Sequence, residues 1–194
     1  MTTPSFRLPA DFPPPLTYLC ENILADLPQP EARSFCRAVT ALDCSGGKDL
    51  SRVVWSFLAA ELRALPEVSP EAQAVIDPVI AGMDLLAAGQ EWPEADQDAA
   101  RTAARTYSAY STTYVAYCAV NAAYDAASAA YDAASAAYDA ASAADSAVHS
   151  IAHVTYSADH AARAAAAAGA RGAARMRQGS LLLALITAAP EAGG

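Results

Sequence analysis

Tyrosine recurs at 110, 117, 124, 131 and 138, every seventh residue, and within that stretch the unit YDAASAA repeats almost letter for letter. A helix turns about 100° per residue, so seven residues carry the chain through about 700° and successive tyrosines drift by only about 20°. The spacing therefore predicts one aromatic stripe along a helix of alanine, serine and aspartate. From Ala95 to Ala168 the chain has neither glycine nor proline. At about 1.5 Å per residue an unbroken helix of that length would reach on the order of 110 Å. The pattern predicts a repeat helix over 94–168, continuous to about Ser142 with its bend near 145, or a helical hairpin made from the same segment.

The remaining elements read as helices too, which makes the fold class all-α: a helical bundle with a long alanine-rich helix or hairpin carrying the tyrosine heptad stripe. Residues 1–15 read as an extended arm, because Pro4, Pro9 and Pro13–Pro15 cannot sit in a helix interior. Residues 16–93 form an N-terminal helical core. Leu16, Leu19, Cys20, Ile23, Leu24 and Leu27 follow helical spacing up to Pro28. A second helix runs from Pro30 or Glu31 to Leu42 and is ended by Ser45-Gly46-Gly47, and a third spans about Leu50 to Leu65 before Pro66. A fourth is capped by Ser69-Pro70-Glu71 and runs to Gly89, with Pro78 expected to kink or divide it. In 169–194, Gly169 and Gly172 precede a last helix from about Ala173 to Thr187. That helix returns Leu181, Leu182, Leu185 and Ile186 to the core, and a frayed tail follows from Pro190.

The hydrophobic fraction of 54% is inflated by alanine, which buries little area per side chain. A net charge of -9 argues against nonspecific nucleic acid or anionic membrane as partner, since both need basic surface. A basic protein fits better. No run approaches the roughly 18 large apolar residues of a membrane span, and the N-terminus lacks a basic region followed by an apolar one. The expectation is a soluble, cytoplasmic protein. Cys20, Cys36, Cys44 and Cys118 form no CxxC pair and read as free thiols in a reducing compartment. Arg163, Arg171, Arg175 and Arg177 form a short basic segment, read as complementing helix C-terminal carbonyls.

All three histidines, His149, His153 and His160, fall within twelve residues and continue the face that carries Tyr124, Tyr131 and Tyr138. His149 and His153, at i and i+4, are the candidate metal pair, with Asp145 or Asp159 as an added oxygen. The favoured reading is that these rings pack where tyrosine packs elsewhere, with no metal and no cofactor. Asp125, Asp132 and Asp139 form an acidic line beside the tyrosines. Acid–base catalysis needs carboxylates facing each other in a shielded cleft, whereas acids about 10 Å apart along a rod read as a solvated face. Ser128, Ser135 and Ser142 have no base within helical reach, and no phosphate-binding loop is present. The chain is not expected to be an enzyme. Tyr124, Tyr131, Tyr138, Asp125, Asp132 and Asp139 are the candidate partner-binding residues. The alternative is a structural long-helix module that self-associates through the tyrosine stripe into a homo-oligomer.

The order of parts resembles the Imm5-like family of bacterial alanine-rich immunity proteins. The resemblance rests on VIAGMDLLAAGQ at Val79–Gln90, EADQDAARTAARTYSAY at Glu94–Tyr110, the repeats, and RMRQGSLLLALI at Arg175–Ile186. SRVVWSFLAAELRAL at Ser51–Leu65 is similar to the family's cysteine- and leucine-rich helix but lacks its cysteines. The resemblance covers about residues 50–188 and leaves 1–45 outside. It implies a small cytoplasmic protein that binds and neutralises a polymorphic toxin, with no catalytic residues to carry over.

Overall fold

The computed structural model describes residues 12–42, 48–111, 113–138, 143–167 and 171–191. Within them the chain is all-α. The helices are α1 (Pro14–Asp26), α2 (Gln29–Ala41), α3 (Val53–Arg63), α4 (Pro70–Ala87), α5 (Glu94–Tyr110), α6 (Tyr114–Tyr138), α7 (Ala143–Ala167) and α8 (Arg171–Ala188). The Ser45-Gly46-Gly47 turn, Cys44, Asp139 and Gly169 lie outside the described residues.

Helix α1 starts earlier than the proline run suggested. Pro14 and Pro15 occupy its first turn, where a missing N–H has no intrahelical partner to lose. Phe12 is already buried, so the chain enters the core just before the helix begins, while residues 1–11 lie outside the described residues. Helix α3 starts later, because Asp49 Oδ1 accepts from the Ser51 amide and hydroxyl at 3.0 and 2.5 Å and holds that segment in a turn. Ser69 caps α4 by accepting from the Ala72 amide at 3.3 Å. Pro78 lies within α4 on its exposed face without dividing it. The helix ends at Ala87, and Gly89 just beyond it has a φ of 74°, the left-handed conformation that suits glycine past a helix terminus.

The rod expected over 94–168 is not formed, and this corrects the sequence reading. Ser111 leaves α5 in an extended conformation (φ -63°, ψ 125°), and Thr113 Oγ1 accepts from the Ala116 amide at 3.2 Å to start α6. Hydroxyl side chains that bond nearby backbone compete with helix continuation and favour caps. Beyond α6 the segment folds back as the helical hairpin that its sequence also allowed; residues 139–142, next to the bend expected near 145, lie outside the described residues. Helices α6 and α7 lie antiparallel. Ser150 Oγ donates to the Ala129 carbonyl at 2.9 Å, and Ser157 Oγ to the Ala122 carbonyl at 2.8 Å. Donors and acceptors are each seven residues apart, so the heptad sets the register of one helix against the other. Ala119, Ala122, Ala126 and Ala129 of α6 are buried, as are Ala158 and Ala161 of α7. Each alanine buries little area, but it loses no rotamer freedom on doing so.

The larger apolar residues lie where their periodicity put them. Leu16, Leu19 and Ile23 of α1, Phe57 and Leu58 of α3, Ile76 and Met83 of α4, and Leu182 and Ile186 of α8 are completely buried. Gly172 does not interrupt α8 but lies inside its first turn. Nor is the chain frayed at Pro190 and Glu191. Glu191 pairs with Lys48 in an antiparallel bridge, and the Asp49 amide donates to the Pro190 carbonyl at 2.8 Å. Lys48 Nζ also donates to the Ile186 carbonyl at 3.4 Å and to that of Thr187. The cation at the C-terminal end of α8 is therefore Lys48. The arginines at 171, 175 and 177 stand near the N-terminal end, where the helix dipole does not favour them.

Candidate functional site

Asp125 projects from α6 into its contact with α7. It is 5% exposed, so the solvated face expected for the acidic line does not hold at this position. Its two oxygens meet two imidazoles, Oδ1 with His153 Nδ1 at 3.0 Å and Oδ2 with His160 Nδ1 at 2.8 Å. An ionised carboxylate only accepts, so each ring donates from Nδ1. One carboxylate thus spans the seven-residue interval between the histidines. Asp132 Oδ2 is 3.8 Å from His153 Nε2, with its side chain 21% exposed. The rings of Tyr124 and Tyr156 each meet that of His153 in a T-shaped contact, with centroids 6.3 Å apart in both.

The histidines that Asp125 joins are accordingly His153 and His160, whereas the candidate metal pair is His149 and His153. His149 is exposed. Among the described residues no group of three or more His, Cys, Asp or Glu is placed to hold a metal ion. Ser150 and Ser157 give their hydroxyl protons to backbone carbonyls. The local chemistry fixes ring orientation and helix register, and offers no nucleophile paired with an imidazole through these serines.

A second polar network, unforeseen from the sequence, lies where α1, α3, α7 and α8 meet. Arg175 is 1% exposed and donates from Nε and Nη2 to Asp26 Oδ2 at 3.0 and 2.8 Å, and from Nη2 to Asp159 Oδ1 at 3.0 Å. Its Nη1 donates to Gln178 Oε1 at 2.9 Å, and Gln178 Nε2 donates to Glu61 Oε2 at 2.8 Å. Arg177 reaches the same Glu61 oxygen at 3.0 Å, and Arg163 pairs with Asp159 at 2.7 Å. Among the described contacts Arg175, Arg177 and Arg163 meet Asp26, Asp159 and Glu61, so each buried charge has an opposite partner. The sequence held a signal for it: Glu61 falls between Leu58 and Leu62 on an apolar stripe, and Arg175 and Gln178 share a face with Leu182.

The tyrosine stripe is divided among different environments. Tyr110 ends α5 at 80% exposure, and Tyr117 on α6 is 43% exposed. Tyr114, outside the heptad, is 60% exposed and stacks with Tyr117 at 6.4 Å. A hydrogen bond with the Cys118 thiol pushes the Tyr114 hydroxyl pKa up, and burial raises that of the Cys118 thiol. Tyr124 and Tyr131 are half-buried, and Arg101 of α5 lies 4.0 Å over the Tyr131 ring. The side chain of Tyr138, and all of Asp139, lie outside the described residues. No described helix is long and apolar enough to cross a membrane.

Comparison with protein families, characterised proteins and solved structures finds no match for this chain.

Proposed function

We infer that this chain is a non-catalytic protein-binding protein, and specifically an acidic helical binder that neutralises a basic toxin, as the resemblance to immunity proteins implies. The observation that carries the reading is the aromatic surface of Tyr110, Tyr114 and Tyr117 at the junction of α5 and α6, on a chain of net charge -9. Exposed tyrosines offer large amphipathic contact area, and acidic charge speeds association with a basic surface. The partner surface is therefore placed here, not at Asp125, which the hairpin buries. Tyr124, half-buried, and Asp132 lie further along α6.

The deciding experiment pairs the chain with the product of its neighbouring gene. That product should arrest growth when expressed alone, and co-expression of this chain should relieve the arrest. Replacing Tyr110, Tyr114 and Tyr117 together by serine should weaken the complex by at least about tenfold, equivalent to 1.4 kcal/mol, without lowering the melting temperature. If the two proteins form no complex, the immunity reading is lost. If the triple variant binds as well as the parent, the aromatic surface is not the interface.

A further inference from the structure

Both tryptophans of the chain, Trp55 of α3 and Trp92 just before α5, line one pocket of about 390 Å³. That volume lies within the roughly 300–1,000 Å³ of small-molecule sites. Tyr131 supplies a third aromatic wall. Ala130, Ala133 and Ala134, from the repeat, line the pocket beside it, where their small side chains leave the space open. Trp92 is held against α4, because its indole lies directly over Gly82, where no side chain intervenes.

The polar residues of the lining are Glu91, Glu94 and Gln97. The Gln97 Nε2 donates to the Trp92 carbonyl at 2.6 Å. Only the NH2 end of an amide can donate to a carbonyl, so this bond fixes which way the group points. Its Oε1 is left buried without a donor among the described residues. All three residues thus bring acceptors, and none of the lining is cationic. The N-terminal end of α5 opposes a cation with about half a positive charge, but Glu94 and Asp96 stand in that turn and outweigh it. The nearby cation, Arg101, is paired with Asp98 at 2.7 Å and already rests on Tyr131, an internal instance of a guanidinium on that ring.

We propose that this pocket binds an organic cation, a guanidinium or primary ammonium head on a short apolar stem, held by the aromatic walls and the Glu91 and Glu94 carboxylates. Cation–π attraction strengthens when the cation is partly desolvated, as in a pocket lined by half-buried Trp55 and Tyr131 beside buried Trp92. A free alkylamine and the arginine or lysine side chain of a protein partner share this chemistry. The site does not depend on the toxin-binding reading, since a free cation would fill it with no protein present.

Tryptophan fluorescence reads the pocket directly, because the chain has no tryptophan elsewhere. The full chain is titrated with n-butylguanidinium, n-butylammonium and the neutral n-butylurea. At least one cation should give a saturable change in the millimolar range or tighter, with the urea at least about tenfold weaker. The Glu91→Gln, Glu94→Gln double variant changes only exposed positions, and should keep its circular dichroism and melting while losing at least about tenfold in cation affinity. Blocked Gly-Arg-Gly and Gly-Lys-Gly peptides separate the sources. Binding as tight as that of the free cations supports a partner's side chain, and binding of the free cations alone supports a small ligand. Absence of a saturable change with either cation, an equal response to butylurea, or undiminished affinity in the double variant overturns the proposal.

Discussion

Asp26 and Arg175 stand 149 positions apart in the chain, yet two guanidinium nitrogens of Arg175 reach a single Asp26 oxygen at 3.0 and 2.8 Å. The contact ties the last residue of α1 to the first turns of α8. Arg175→Met would leave Asp26 and Asp159 without their shared cation and Gln178 Oε1 without its donor. Removing one partner from a buried charge network costs about 3–5 kcal/mol. Arg175→Lys should recover only part of this, since an ammonium cannot reproduce the guanidinium fork. Arg163→Met removes a cation whose side chain is 49% exposed, and should cost less than about 1 kcal/mol. Urea denaturation of the three variants checks the order, and equal midpoints for Arg175→Met and the parent would show that the network does not hold the helices together.

Asp125→Asn should destabilise the hairpin by about 1–3 kcal/mol, because the amide's NH2 end cannot accept and one imidazole loses its acceptor in a buried setting. Asp132→Asn, whose side chain is 21% exposed, should cost less than the change at Asp125. Thermal melting of the two variants side by side tests this. Equal melting temperatures would mean that burial of Asp125 confers no structural role on its carboxylate.

The contrast between Asp125 and Asp132 marks the limit of what the sequence alone disclosed. The positions of α1 to α4 and α8 follow from local apolar periodicity, and Ser69 announces its helix through a cap that operates within four residues. The reversal between α6 and α7 has no such local source. It depends on alanine faces meeting across the hairpin, and alanine is equally at home in a continuous helix. Once the chain folds back, Asp125 meets His153 and His160 from another helix, 28 and 35 positions away. Its local surroundings, identical to those of Asp132 in the repeat, do not distinguish it. Trp55 and Trp92 likewise come to line one pocket only through the tertiary packing of helices far apart in sequence.

Two glycines in helices should respond to alanine in opposite directions. At Gly82 an added Cβ would overlap the Trp92 ring, and overpacking of that kind costs about 1–3 kcal/mol or more. This outweighs the helix-propensity gain of about 1 kcal/mol. At Gly172 an added Cβ meets nothing within 4 Å, so the propensity gain should appear as a stabilisation of about 0.5–1 kcal/mol. Calorimetric melting of Gly82→Ala and Gly172→Ala reads both, with near-ultraviolet circular dichroism reporting displacement of Trp92 in the first. Stabilisation by Gly82→Ala would show that the indole has room to move aside.

Alkaline pH should expose the burial of Cys20. Burial first, then the charges of Glu21 and Cys36, push its thiol up from 9.0 to about 12. The folded chain therefore keeps this proton where the unfolded chain releases it. Its contribution to stability is fully present below pH 9 and is lost as pH rises from there towards 12, at up to about 1.4 kcal/mol per pH unit for one proton. Other groups titrate in the same window, so the measurement is a difference: denaturation midpoints of the parent and of Cys20→Ala at pH 8 and pH 10.5. The variant starts less stable because it leaves a small cavity, by about 1 kcal/mol or more, and the gap should narrow at the higher pH. A gap that stays constant would mean the Cys20 thiol ionises as readily in the folded chain as in the unfolded one.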